Sequence, residues 1–253
     1  MPATGLEYCG VNRIDGPLVF IDGVQNVGFN ELVEITTPQG EKRLGQVLET
    51  AETSAVVQIF AGSSGLSSAA TRLRFQGEAL RIPVGREMLG RVFDGVGRPK
   101  DNLPHVLATD RRDVNGLPIN PFSRAYPRDF IQTGITSIDL MNSLVRGQKL
   151  PIFSGNGLPH DRIAAQIARQ ATLLNEDAEF AIVFAAMGIK YDVARFFIDS
   201  FRKSGVINNV TMFLSLADDP SVERLVTPRS ALTFAEYLAF DLDMHVLVIM
   251  TDM

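Results

Sequence analysis

Apolar and polar residues alternate in short runs over the first third of the chain. These runs occupy residues 17–21, 32–35, 42–48, 55–60 and 71–75. Turns rich in Gly and Pro separate them, and alternation with a period of two is typical of strands that bury one face. Short strands at this spacing, with no helical pattern between them, predict a small β-barrel over residues 1–76.

From Gly147 onward the pattern changes to strands that alternate with helices. We expect strands at 150–154, 181–186, 210–216 and 246–250, and helices at 160–175, 193–205 and after Pro220. This alternation predicts right-handed crossovers and a parallel sheet. The fold class is therefore mixed α and β. The second domain is assigned to residues 77–253, of which 77–148 form a turn-rich connector.

The last predicted strand runs almost to Met253. A parallel sheet is normally covered by helices on both faces, so a helix is expected to follow such a strand. We therefore expect an incomplete α/β domain.

Composition narrows the function classes. The formal net charge of −5 and the scattered basic residues argue against a nucleic-acid partner. A single cysteine excludes an internal disulfide, and three widely spaced histidines form no metal motif. No apolar run approaches the ~20 residues that cross a bilayer, and the N-terminus has no signal-peptide pattern. Contact with a membrane is expected only through a partner.

The segment 154–161, Ser-Gly-Asn-Gly-Leu-Pro-His-Asp, joins a predicted strand to a predicted helix. In this position a glycine-rich loop of the pattern GxxxxGK[ST] holds phosphate groups with backbone N–H groups. Ser154, Pro159, His160 and Asp161 occupy its four fixed positions, and none of them matches. The candidate nucleotide-binding residues, expected to bind weakly, are those of the degenerate loop: Gly155, Asn156, Gly157, Leu158, Pro159, His160 and Asp161.

The replaced residues weaken the chemistry of this loop. A histidine is shorter than the lysine that would reach the β- and γ-phosphates, and it is mostly neutral at pH 7. Asp161 brings a negative charge where a hydroxyl would bind magnesium, and two like charges ~4 Å apart repel by roughly 4 kcal/mol at an effective dielectric of ~20. Pro159 lacks an N–H group. Because Pro and an acid also begin helices well, we expect a structural loop or weak nucleotide binding.

Two other positions bear on phosphate chemistry. Asp252 follows an apolar strand, as does the carboxylate that holds magnesium in phosphate-loop enzymes, although many buried strands end in this way. Ile189 follows Gly188 where a hydrolase of this architecture would carry a glutamate. Isoleucine cannot accept a proton, so we predict no catalytic residue.

Longer stretches carry a family resemblance, namely residues 89–95, 130–135, 144–153 and 216–220. The most specific is Gly157-Leu158-Pro159-His160 followed by residues 163–170. On these residues the chain resembles the B subunit of archaeal and vacuolar-type (A/V-type) rotary ATPases, from about residue 10 to the end. The corresponding loop of the catalytic subunit keeps the Gly-Lys-Thr ending.

The resemblance implies a β-barrel, a RecA-like nucleotide-binding domain, and a C-terminal helical bundle that this sequence lacks. It implies a non-catalytic subunit that alternates with catalytic A subunits in an A3B3 hexamer, together with central-stalk and peripheral-stalk subunits. Such a head is cytoplasmic and peripheral to the membrane. The complex couples ATP synthesis or hydrolysis to proton or sodium transport. No cofactor is required, although ATP or ADP with Mg could bind weakly at a subunit interface.

Three alternatives remain open at this point. A catalytic subunit would need Lys at 160, a hydroxyl at 161 and Glu at 189. A truncated or engineered RecA-like scaffold without an assembly function would keep the fold alone. A hexameric RNA helicase would need a basic or aromatic strand-binding surface, which this acidic chain does not show.

Overall fold

The computed structural model describes residues 6–108, 110–116, 120–124, 126, 128–155, 157–173 and 179–252. Seven antiparallel strands make up its first part, where short alternating runs favour strands over helices. They are β1 (Glu7–Cys9), β2 (Arg13–Asp15), β3 (Leu18–Asp22), β4 (Glu31–Thr36), β5 (Lys42–Thr50), β6 (Ser54–Ile59) and β7 (Arg72–Ala79). All five predicted strands are confirmed, whereas the three-residue strands β1 and β2 were too short to be predicted.

The strands form one sheet in the order β1-β7-β4-β5-β6-β3-β2. The chain leaves β1 at one edge and enters β2 at the other through Gly10, Val11 and Asn12. Gly10 N donates to Thr71 O at 2.9 Å, and Asn12 N donates to Phe20 O at 2.9 Å. These residues thus join the two edges, and the predicted β-barrel is confirmed.

The barrel interior follows the pleat of the strands. In β6, Ala55, Val57 and Ile59 are buried and alternate with partly exposed residues. Gly45 of β5 lies where the neighbouring strand β6 approaches closely. A Cβ there would lie 2.7 Å from Gln58 O, closer than any side chain tolerates.

The connector carries more regular structure than its turn-rich sequence indicates. It contains β8 (Arg81–Val84), β9 (Val92–Phe93), β10 (Asp110–Asp113), β11 (Ile131–Gln132) and the short helix α1 (Thr136–Met141). β8 pairs with β10, while β9 pairs in parallel with a strand of the second domain. The predicted boundary between residues 76 and 77 falls within β7. The division into 1–76 and 77–253 stays a prediction.

The remaining elements alternate as the sequence predicts. They are α2 (His160–Gln170), β12 (Thr172–Leu173), β13 (Phe180–Ile189), α3 (Tyr191–Ser204), β14 (Val210–Leu216), α4 (Ser221–Glu236), a π-helical turn (Tyr237–Asp241) and β15 (His245–Thr251). The parallel sheet has the order β15-β13-β14-β9. The predicted α/β domain with a parallel sheet is confirmed.

Both faces of β13 are buried, which explains its unbroken apolar sequence. Ala181, Val183 and Ala185 face a core that includes Phe213 and Phe234, on the side of α4. Ile182, Phe184 and Ala186 face the other core, where Phe197 and Phe201 of α3 pack against Phe184. The sheet therefore forms the middle layer of three, between α4 and α3. Because β14 and β15 run parallel to β13, the carboxyl ends of these three strands lie at one edge of the sheet.

Two predicted elements are wrong. Residues 150–154 form no strand, because Pro151 offers no N–H group and no strand in the described part of the chain pairs with the segment. The predicted helix 160–175 ends at Gln170, where Ala171 turns to an extended conformation and Thr172–Leu173 pairs with Ile131–Gln132. The rest of that prediction, residues 174–175, lies outside the described residues.

Candidate nucleotide site

The degenerate loop reaches α2 through a tight turn. Leu158 N donates to Gly155 O at 3.2 Å, and Gly157 has φ of +81° with open space around its Cα. Glycine is therefore favoured at 157 by backbone conformation rather than by packing. Pro159 immediately precedes the helix as its N-cap residue, and its side chain accepts no hydrogen bond from the first N–H groups. Asn156, the remaining predicted residue of the turn, lies outside the described residues.

His160 lies beside two carboxylates. Its Nε2 is 3.7 Å from Asp161 Oδ1 and 4.0 Å from Asp252 Oδ1. On its other side, Nδ1 is 3.1 Å from Ser154 Oγ, within hydrogen-bonding distance. The fold thus brings together His160, Asp161 and Asp252 from the set predicted by the sequence, and adds Ser154.

Asp252 reaches the loop because the chain turns sharply after β15. Its φ is +59°, in the left-handed region that L-residues adopt infrequently. The structure therefore places this carboxylate beside the start of α2, as expected for an acid that follows the strand. Leu158, by contrast, is exposed and adds no polar group to the site.

The electrostatics of the loop disfavour an anion. Burial raises the pKa of Asp161, the charge of Asp252 raises it further, and His160 lowers it. Asp161 Oδ1 is buried and accepts no hydrogen bond from the described residues. A phosphate group would add more negative charge to two carboxylates that already repel each other. The N-terminal N–H groups of α2 would attract it by only ~0.3–1 kcal/mol.

The position that a catalytic base would occupy is apolar. Ile189 is buried at the end of β13, and its carbonyl accepts a hydrogen bond from Ala217 N at 2.8 Å. Beside it, Arg224 of α4 donates to Ala217 O at 2.7 Å and covers Gly188. Arg224 belongs to no motif of the sequence, so its place beside Gly188 becomes visible only in the fold.

No metal site accompanies the loop within the part of the chain that the structure covers. There, no three His, Cys, Asp or Glu side chains are grouped so that they could hold a metal ion. A carboxylate replaces the hydroxyl at 161, and its negative charge opposes a phosphate group. None of the described helices is both long and apolar enough to cross a membrane.

Comparison with known proteins identifies the architecture. Residues 11–77 match the model for the β-barrel domain of the ATP synthase alpha/beta family. Residues 134–253 match the model for its nucleotide-binding domain.

The chain belongs to the ATP synthase alpha/beta family.

Within this family, the chain is similar to the B subunit of the A-type ATP synthase from Methanopyrus kandleri. The two are 57% identical over 249 residues, which are 98% of this chain. The chain spans a quarter (25%) of the length of that relative. The resemblance to B subunits, predicted from the loop and the neighbouring stretches, is confirmed.

Proposed function

We propose that this alpha/beta family chain forms part of a non-catalytic B subunit of an A-type rotary ATP synthase. Its phosphate loop would have a structural role and would not hydrolyse ATP. The observation that carries the proposal is the placement of His160 beside Asp161 and Asp252 at the start of α2. His160 and Asp161 stand at the positions where a working loop offers a lysine to phosphate and a hydroxyl to magnesium.

The chemistry of hydrolysis supports the same proposal. Phosphoryl transfer needs a cation on the γ-phosphate, a hydroxyl on magnesium and a residue that orients water. This chain offers His160, Asp161 and the buried Ile189 at those three positions. Nucleotide, where it binds, is expected to bind no tighter than a Kd of about 1 mM.

The relative from Methanopyrus kandleri, a B subunit of an A-type ATP synthase, supports the proposed assembly. We propose that the subunit alternates with catalytic A subunits in an A3B3 head, contacts the central and peripheral stalks, and lies on the cytoplasmic side of the membrane. The complex would couple ATP synthesis or hydrolysis to proton or sodium transport. Any bound Mg-ATP or Mg-ADP would lie at the boundary with a catalytic subunit.

Calorimetric titration with Mg-ATP tests the proposal directly. The unmodified chain should show a Kd of about 1 mM or weaker and no ATPase activity above background. The triple variant Pro159→Gly, His160→Lys, Asp161→Thr restores the N–H group, the cation and the hydroxyl, so it should bind Mg-ATP at least tenfold more tightly.

The matched control is His105→Lys, which makes the same replacement at an exposed histidine of the connector. This variant should leave the affinity unchanged. Micromolar binding by the unmodified chain, or turnover abolished by Asp252→Ala, would show that the loop is an active one.

A further inference from the structure

A cavity lies between the barrel and the second domain, and no residue of the loop lines it. Its volume is about 440 Å³, within the range of small-molecule sites. Phe29 and Asn30 of the barrel form one wall, the turn 114–116 a second, and the last turns of α4 a third. We call it the junction cavity.

The walls of the junction cavity are held by their own hydrogen bonds. Glu31 accepts from Gly28 N at 2.7 Å and from Gly77 N at 2.6 Å, which fixes the barrel loop that carries Phe29. Asp113 Oδ1 accepts from both Asn115 N and Asn115 Nδ2. The cavity therefore exists before any ligand enters, and less ordering is required on binding.

Two opposite charges of α4 line the cavity without pairing. Arg229 and Glu236 are seven residues apart, so they share a helix face with a rise of about 10 Å between them. Arg229 Nη1 makes a single long contact, 3.4 Å to Asn115 Oδ1. Within the described ranges, Glu236 accepts no hydrogen bond and neither residue forms an ion pair. Both residues are exposed, and partial burial raises the pKa of Glu236.

The surface between the two charges is apolar. Leu232 lies one turn from Arg229 on the same face and is 45% exposed. Phe29 faces the cavity from the barrel and is 68% exposed. A hydrocarbon stem lying along Leu232 and Phe29 would remove both from water.

We propose that the junction cavity binds an elongated zwitterion, with a carboxylate on Arg229, an apolar stem against Leu232 and Phe29, and an ammonium on Glu236. The fork of donors on arginine suits a carboxylate, and an ammonium gives Glu236 the partner that it lacks. A compact zwitterion such as glycine cannot reach both charges. The site is independent of the degenerate loop.

Calorimetry with ε-aminocaproate as the probe tests this site. The purified chain should bind it with a Kd of about 1 mM, more tightly than the shorter γ-aminobutyrate and glycine. Caproate and hexylamine, which carry one charge each, should bind about fivefold more weakly than ε-aminocaproate.

Arg229→Gln and Glu236→Gln should each weaken binding of ε-aminocaproate about fivefold. Arg195→Gln, at an exposed arginine of α3, should leave it unchanged and serves as the matched control. The exchange variant Arg229→Glu, Glu236→Arg should recover binding, because the same probe can bind in the opposite orientation.

Absence of heat at about 10 mM probe would overturn the proposal. So would equal affinity for caproate or hexylamine, or unchanged binding in both single variants. Circular dichroism of each variant separates loss of the site from loss of the fold.

Discussion

The guanidinium of Arg224 covers Gly188 so closely that a Cβ at 188 would lie 2.9 Å from Cζ and Nε. Gly188 also has φ of +76°, at the register shift near the end of β13. The contact joins α4 to the edge of the sheet that bears the degenerate loop. The backbone conformation therefore favours glycine at this position, and a Cβ would also displace the guanidinium of Arg224.

We expect Gly188→Ala to lower the free energy of unfolding by about 2–3 kcal/mol, because backbone strain and the displacement of Arg224 add together. Gly205→Ala is the matched control, since Gly205 has the same φ of +76° but nothing within 4 Å of its Cβ position. The control should lose only about 1 kcal/mol. Urea denaturation measures both, and equal losses would show that Arg224 simply moves aside.

Glu31→Ala should destabilise the barrel by about 2–4 kcal/mol, because two backbone N–H groups lose a buried, charged acceptor. Glu34→Ala on the same strand is the control. Glu34 forms an ion pair with the exposed Lys42 at 3.0 Å, and its loss should cost less than about 1 kcal/mol. Thermal unfolding followed by circular dichroism compares the two variants, and a loss in Glu31→Ala no greater than that of the control would contradict the assigned role.

Glu223→Gln should stabilise the chain at neutral pH. Burial is the largest cause that raises the pKa of Glu223, and the charges of Asp94 and Asp219 raise it further. Because the folded state binds this proton more readily than the unfolded state, ionisation opposes folding, and stability from this group is lost as pH rises through the folded pKa. Glutamine stays neutral and can still accept the hydrogen bond from Gly95 N.

The expected gain from Glu223→Gln is on the order of 0.5 kcal/mol at pH 7, after allowance for solvent screening. The difference from the parent should shrink as the pH falls into the acid range. Melting curves over that range check the sign. A variant that is less stable than the parent at pH 7 would mean that the ionised carboxylate contributes to folding.

Asp161→Asn should strengthen anion binding at the start of α2, because it removes one of the two carboxylates beside His160. We expect ADP without magnesium to bind about fivefold more tightly, as measured by calorimetry. Asp192→Asn provides the control, since Asp192 is an exposed acid in the first turn of α3. An equal gain in the control would indicate a general effect of net charge.

Elements with local signals were predictable from the sequence. The helix ending at Ser204 is closed by Gly205, whose positive φ favours glycine at the C-terminus. The strand Val210–Leu216 was predicted with the same bounds, because it is short, apolar and flanked by turn residues. Such signals lie within a few residues of the element that they define.

Elements that depend on distant partners were not predictable in this way. Residues 150–154 carry the apolar pattern of a buried strand, but a strand also needs a neighbour with free backbone groups. Likewise, Thr172–Leu173 leaves the helical pattern to pair with Ile131–Gln132, about forty residues earlier. Periodicity contains no information on either pairing.

The candidate site likewise combines residues that local patterns indicate with residues that only the fold brings together. The loop residues and Asp252 came from two separate patterns, and only the fold shows that His160 and Asp252 are neighbours. Arg224 came from no pattern, since its importance rests on the shape of the backbone at Gly188. The nucleotide-binding role of the loop residues stays a prediction for the titrations to test.

The closure of the barrel has a consequence for synthesis on the ribosome. β2 can form a hairpin with β3 at once, since Ile14 pairs with Val19, whereas the partner of β1 among the described strands is β7, where Glu7 meets Arg74. At about 5–20 residues per second, β1 waits roughly 3–13 seconds for its partner to be translated. During that time its free edge can pair with other nascent chains. Strand β1 is thus among the last parts of the barrel to be secured, although it precedes β7 by more than sixty residues.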